Sequence, residues 1–275
     1  MLTASQVDEF VEEGFLRIDH AFPRAIADAG LTALWRAIGC DANDPATWTR
    51  PVVRVWPEND RDGSQPILFR AAANTTVLHE AFDKLVGLGR WRPRPNVGTF
   101  VIRFPSQADP GDLGWHIDLS YPAETGDRGG GGGDYSDWRV NVRSRDRALL
   151  MLFLFSDVGE EDAPTRIRVG SHYDIPPLLE RFGEDGTSQL SLAETGADRS
   201  IALATGKAGT VYLCHPFLIH AAQPHRGRRP RFMAQPPLEP AAPLSLERND
   251  RAYSPVETAI RIALHKSCRP CEKSA

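Results

Sequence analysis

The sequence lacks the features that would place it in or beyond a membrane. No apolar stretch approaches the ~18 residues that span a bilayer, and the opening "MLTASQVDEF" has no basic region leading into an apolar run, so no secretory signal is expected. Cysteine is scarce, with 4 in 275 residues, and positions 40, 214, 268 and 271 follow no regular spacing. That excludes a disulfide-held scaffold and predicts reduced thiols in a cytoplasmic protein. Charge of one sign is missing as well. A net of -4 gives no general attraction to polyanions, so neither nucleic acid nor a membrane surface is expected as a partner. No internal repeat is visible.

What is present suits a globular domain. With 41% hydrophobic and 25% charged residues the chain can bury a substantial core, and its length fits one large domain with appendages. "TASQVDEFVEEG" opens with a capping pattern, Thr3 to Gln6, and sets Val7, Phe10 and Val11 on one helical face before Gly14. A second helix is expected after Pro23, with Leu31, Leu34, Trp35 and Ile38 at helical spacing and Gly39 as its stop. A third, over about 74–86, carries Leu78, Phe82 and Leu85.

From about residue 97 the texture changes to short apolar or alternating runs: "GTFVIRF", "GWHIDLSY", "RALLMLFLFSDV", "TRIRV", "GTVYLC" and "RFMAQPPL". Many strands without long helices between them predict a mainly β, α+β fold, an antiparallel barrel or jelly roll with its helices gathered at the front. The divisions expected are a helical lead-in over about 1–90, a β core over about 95–240, a helix over about 254–264, and a polar tail over 265–275. "GDRGGGGGDYSD", residues 126–137, reads as a mobile surface loop, either a tolerated insertion or a lid.

In a strand, residues two apart point the same way, so His116 and Asp118 of "GWHIDLSY" would converge while Trp115, Ile117 and Leu119 face the other side. That supplies two legs of a 2-His-1-carboxylate triad for Fe(II). The pair alone is weak evidence, because chance gives about one His-x-acid pairing in such a composition, and His172 and Asp174 form a second. A third ligand can come from His215, His220 or His225. An oxoacid would also need an arginine, and spacing leaves two choices: His220 lies 11 residues before Arg231, and His215 lies 11 before Arg226.

Four motifs in order give the chain a family resemblance. "ASQVDEFVEEGFLRI", "GWHIDLSY", "TRIRVGSHYDIP" and "HAAQPHRGRRPRF" resemble the leading helix and first strand, the His-x-Asp strand, the Gly-Ser-His segment and the distal histidine with its arginine in the phytanoyl-CoA dioxygenase family of Fe(II)/2-oxoglutarate oxygenases. The resemblance runs over about residues 3–238. It implies a double-stranded β-helix, the cupin-like jelly roll, with Fe(II), and with 2-oxoglutarate and O2 as co-substrates. His116, Asp118 and His220 fall on the metal ligands, which are also the catalytic residues, and Arg231 falls on the partner of the oxoacid's distal carboxylate. His172 becomes a structural residue and His215 a turn residue. A small organic substrate would be hydroxylated or otherwise oxidised, with release of succinate and CO2. The carboxylate of Asp118 would occupy the position a halide needs, which disfavours a halogenase. Three positions depart from the family pattern: Val169 stands for a proline, Ala222 for a small hydroxyl residue, and His225 for an asparagine.

Two further residues are cofactor-site candidates. Arg103, on the "VIRF" run, either meets the oxoacid or an anionic substrate, or ends in a salt bridge. Trp138 is either cavity wall or core. Arg226, Arg228 and Arg229 are expected to be exposed, and "CRPC", residues 268–271, to carry no zinc site. The alternatives to an oxygenase are a jelly-roll protein that binds metal or oxoacid without catalysis, and a cupin-like metal-dependent isomerase. Nothing in the sequence specifies the substrate or an oligomeric state.

Overall fold

The structure, a computed structural model, describes residues 2–57, 64–122 and 137–267. Most of the glycine-rich stretch and the Cys268–Cys271 pair therefore lie outside the described residues, as does any lid formed there.

The first helix, α1 (Ala4–Glu13), begins at the expected capping box: the Gln6 amide donates to Thr3 Oγ1 at 3.3 Å and the Thr3 amide to Gln6 Oε1 at 3.0 Å. It stops at Gly14, whose φ of +84° suits a residue without a Cβ. Strand β1 (Phe15–Ile18) follows, then α2 (Arg24–Ile38), which ends at Gly39 in the left-handed region, and β2 (Val52–Val55). Helix α3 (Ser64–Ala73) was not anticipated, because its proline at position 66 and short apolar run hide the helical period. Helix α4 (Thr76–Leu85) occupies the expected third place and buries Leu78, Phe82 and Leu85.

Strands β3 (Phe100–Arg103), β4 (Tyr121–Pro122), β5 (Trp138–Arg139), β6 (Leu149–Leu154) and β7 (Arg166–Arg168) come next, followed by the short helix α5 (Pro176–Glu180). Then come β8 (Ile201–Leu203), β9 (Val211–Cys214), β10 (His220–Ala221), β11 (Met233–Ala234), β12 (Pro237–Leu238) and α6 (Pro255–Ser267). All strand pairs are antiparallel. One seven-stranded sheet runs β1-β9-β6-β11-β3-β2 with β12 also paired to β6, a second runs β10-β7-β8, and β4 pairs with β5. The stretch before residue 90 is thus not purely helical, since β1 and β2 form the two edges of the main sheet.

Strand β6 explains the layering. All six of its residues are buried, because the main sheet is covered on both faces. Leu149, Met151 and Phe153 join the larger core with Phe22, Phe69 and Phe82 from the helical side. Leu150, Leu152 and Leu154 pack instead with Ile167 of β7 and Ala204 just past β8, in the space between the two sheets. A continuous apolar run, rather than an alternating one, follows from burial on both sides. Cys214 lies in that inner layer, and burial pushes its thiol up.

Candidate metal centre

"GWHIDLSY" is not the regular strand its alternation suggested. His116 pairs as an isolated antiparallel bridge to His220, with the His116 amide donating to His220 O at 3.0 Å and the His220 amide returning to His116 O at 2.9 Å, and Tyr121 at its end opens β4 opposite Arg139. Between them the segment is held mainly by side chains from elsewhere. Arg166 Nη2 donates to Leu113 O at 3.1 Å and to Ala222 O at 2.8 Å, joining the two segments that carry the histidines. The Trp115 ring lies under two guanidinium groups, Arg166 at 4.7 Å and Arg168 at 4.3 Å from its centroid. The Ser120 amide donates to Arg139 O at 2.8 Å. Anchors of this kind fix a segment without a continuous ladder.

The bridge brings two imidazoles side by side, with ring centroids 4.4 Å apart and planes tilted by 56°. Each ring is oriented through its own Nδ1, which lies 2.8 Å from Gly114 O in His116 and 3.0 Å from Leu218 O in His220. A carbonyl can only accept, so each Nδ1 carries the proton and each Nε2 presents its lone pair to the site. Asp118 Oδ1 lies 3.9 Å from His116 Nε2 and 3.7 Å from His220 Nε2. One ligand atom from each of the three residues falls within 4.8 Å of the others, a spacing that can hold one metal ion. Among the described residues they form the sole group of this kind.

Electrostatics suit a cation. Burial would raise the Asp118 carboxyl, but Arg147, His220 and His116 together hold it below the usual carboxylate range, so it is ionised at neutral pH. Burial, and then His116, depress His220 to about 4, which keeps that imidazole neutral and able to ligate through mild acid. The two histidines also differ in access, since the side chain of His220 is 4% exposed and that of His116 47%.

His116 and Asp118 line a cavity of about 830 Å³ whose wall also includes Trp56, Trp138, Arg147 and Leu192. Trp138, on β5, is therefore cavity wall. Ile117 and Leu119 line the same cavity, so the clean separation of faces expected of a strand is absent.

Arg231 is fully buried and pairs with Arg103 through two backbone bonds of 3.0 and 2.9 Å. Its Nη1 donates to Ala163 O and its Nη2 to Val101 O at 3.3 Å, while its Nε has no hydrogen-bond partner among the described residues. Arg103 Nη2 reaches both oxygens of Asp112 at 2.7 Å, and Arg54 pairs with the same carboxylate. Two buried guanidinium groups thus share one internal counter-ion, itself shared with a third. Burial and the neighbouring Arg103 both push the Arg231 guanidinium below its usual range, and Asp112 offsets them in part. A site of this composition favours an added anion.

The other histidines fall away from the metal donors. His172 rests its Nε2 3.0 Å from Val11 O in a short 3-10 turn, and Asp174, its partner in the second His-x-Asp pairing, is clasped by Arg199 at 2.6 and 2.7 Å. His215 is buried, with Nε2 3.3 Å from Val256 O and Nδ1 accepting from the Phe217 amide at 3.2 Å. His225 Nε2 lies 2.7 Å from Arg229 O. Arg226, Arg228 and Arg229 are exposed. Two residues beside the site escaped sequence reasoning, Arg147 and Arg166. A charged residue two positions ahead of the six-residue apolar strand β6 is the signal that could have marked Arg147.

Antiparallel sheets flanked by helices thus carry, at the edge of a large cavity, a two-histidine, one-carboxylate group that could hold one metal ion. The chain belongs to the phytanoyl-CoA dioxygenase family, whose model matches residues 10–233. No curated protein matches the sequence. Among solved structures it is similar to HygX from Streptomyces hygroscopicus with nickel, 2-oxoglutarate and hygromycin B bound, at 23% identity and a TM-score of 0.52 over 87% of this chain and 88% of that one. It is similar to EctD from S. alaskensis with 2-oxoglutarate and 5-hydroxyectoine, at 19% identity and a TM-score of 0.54 over 88% and 76%. A third is SnoN, a non-heme alpha-ketoglutarate-dependent epimerase from nogalamycin biosynthesis, at 14% identity and a TM-score of 0.54 over 84% and 79%. No described helix is long and apolar enough to cross a membrane.

Proposed function

We propose that the protein is an Fe(II)- and 2-oxoglutarate-dependent dioxygenase that oxidises a small organic substrate, with release of succinate and CO2. The observation that carries this reading is the convergence of His116 Nε2, His220 Nε2 and one oxygen of Asp118 on a single point beside a large cavity. Two imidazoles and one carboxylate are the donor set of non-heme Fe(II) oxygenases, and three protein donors leave coordination positions for an oxoacid and O2. Residues 1–264 then form one catalytic domain, with the sheets arranged as a double-stranded β-helix, in a cytoplasmic enzyme that needs no nucleic acid or membrane.

Bound here, Fe(II) with 2-oxoglutarate would supply O2 activation and the oxidation of a nearby C–H bond. The chain's own contribution is placement. The Gly114 and Leu218 carbonyls keep the two Nε2 atoms deprotonated and aimed inward. Arg231, with Arg103 beside it, provides the excess positive charge that a distal carboxylate would offset. Trp56, Trp138 and Leu192 give apolar wall to the cavity in which a substrate would sit.

The test is anaerobic. Addition of Fe(II) and 2-oxoglutarate to the metal-free protein is expected to give the weak visible charge-transfer band of a chelated oxoacid. Asp118→Ala should abolish it, and Arg231→Ala should demand far more 2-oxoglutarate for the same band. Tight metal binding with no band in the wild type would overturn the reading in favour of a Lewis-acid isomerase or a non-catalytic binder. Oxygen-dependent succinate formation then separates an enzyme from a binder.

A further inference from the structure

We infer that Arg147 is a positioning residue that keeps Asp118 a one-oxygen metal ligand, an assignment that rests on the metal site proposed above. The Asp118 carboxylate is divided between two neighbours. Oδ1 faces both imidazole Nε2 atoms, whereas Oδ2 lies 3.1 Å from Arg147 Nη1. The other arm of the same guanidinium, Nη2, donates to Leu119 O at 3.2 Å, so one planar group grips the carboxylate and the backbone just after it.

Arg147 is itself well fixed. Its amide donates to Ser144 O at 3.2 Å, its carbonyl accepts from Ser144 Oγ at 2.7 Å, and the following amide, of Ala148, donates to Leu238 O at 2.8 Å at the entrance to β6. The side chain is only 9% exposed. Arg94, the other buried arginine lining this cavity, is committed to Glu239 at 2.7 Å and cannot replace it.

An arginine in a cavity wall can also serve a substrate anion, but the geometry argues against that here. Nη1 is ion-paired with Asp118 Oδ2, and Nη2 donates to Leu119 O. Neither Nε nor Nη1 makes a hydrogen bond among the described residues, yet both atoms are sealed from solvent and unreachable by a ligand in the cavity. The consequence is chemical. A carboxylate pinned through Oδ2 can give a metal only Oδ1, which leaves three positions of an octahedron open; a chelating carboxylate would leave two.

Cobalt(II) is the probe, titrated into wild type, Arg147→Met, Arg147→Lys and, as a cavity control, Arg94→Met. Removing such a partner of a metal ligand typically costs about 10–100-fold in metal affinity. We expect a loss in that range for Arg147→Met, together with an altered visible Co(II) spectrum that reports the changed coordination. Arg147→Lys, which keeps the charge and one donor, should recover part of both, and Arg94→Met should match the wild type. Arg147→Met with wild-type affinity and spectrum would overturn the assignment, as would an equal loss in Arg94→Met. Circular dichroism of the metal-free variants checks folding. If Arg147→Met is unfolded, Arg147→Lys carries the test, and an unchanged spectrum there refutes the role. A wild type that binds no Co(II) would sink the metal site itself, an outcome distinct from failure of Arg147 alone.

Discussion

Glu257 ties the carboxy-terminal helix to the stretch ahead of it and to Arg90, and replacing it with glutamine should measure that tie. The carboxylate is 2% exposed. Its Oε1 accepts from the Ser245 amide at 2.8 Å and Arg248 Nη2 at 2.7 Å; its Oε2 accepts from the Ser254 amide at 2.9 Å, Arg248 Nε at 3.1 Å and Arg90 Nη1 at 3.3 Å. Glutamine fits the space but turns one oxygen into an NH2 aimed at donors, leaving at least one buried amide unpaired at about 1–3 kcal/mol. It also removes the charge opposite two arginines, where breaking a buried pair costs about 3–5 kcal/mol. Arg248 and Arg90 are 21% and 31% exposed, so water takes up part of that loss. The lower figure, about 3 kcal/mol at neutral pH, is the expected cost.

The same carboxylate fixes the sign of a pH effect. Burial would raise its pKa, but the Arg248 bonds and the Ser254 and Ser245 amides overcome burial and hold it below the usual range. A depressed carboxyl contributes stability that is fully present above the unfolded value of about 4.3 and is lost as pH falls through the lower folded value. Urea denaturation at pH 7 and again at about pH 3, below the unfolded value, reads both effects. The gap between wild type and Glu257→Gln should be wide at pH 7 and shrink in acid. A gap under about 1 kcal/mol at pH 7, or one unchanged in acid, would refute the reasoning. The link to the site runs through Val256, whose carbonyl accepts from the buried His215 that begins the turn into β10.

Two further outcomes are expected. At Gly14, an added Cβ would meet His172 Nδ1 at 2.3 Å and Leu218 Cδ1 at 2.8 Å, at a φ of +84°. Left-handed strain of ~1–2 kcal/mol and overpacking of ~1–3 kcal/mol together predict that Gly14→Ala costs at least about 2 kcal/mol, and a wild-type melting temperature would contradict this. Trp138→Ala should leave the anaerobic oxoacid band intact, because the residue forms cavity wall beside the substrate space. Loss of the band would move Trp138 onto the oxoacid.

Much of this protein is written in local sequence. The Thr3–Gln6 capping box, the stop signals at Gly14 and Gly39 and the face of α4 depend on neighbours within a few residues, so each is legible from spacing. The six apolar residues of β6 announce burial on both faces for the same reason. The pairing of His116 with Asp118, two residues apart, is equally local. The choice of His220 over His215 and His225 was made from the order of motifs in a family, since spacing alone offered Arg226 and Arg231 equally.

Only the tertiary structure decided the rest. The backbone bridge between residues 116 and 220 turns two distant histidines toward one point, and no local period encodes it. "GWHIDLSY" alternates like a strand yet lacks a continuous partner, and Arg166, Arg168 and Arg147 take the place of a ladder from positions 28 or more residues away. Arg103 and Arg231 lie far apart in the sequence, and become a charged pair because antiparallel pairing sets them side by side in the interior. Sequence determines which groups are available and how each short segment bends. Which lone pairs and charges meet is set by long-range pairing, and the strength of their interaction by how far burial excludes the water that would screen them.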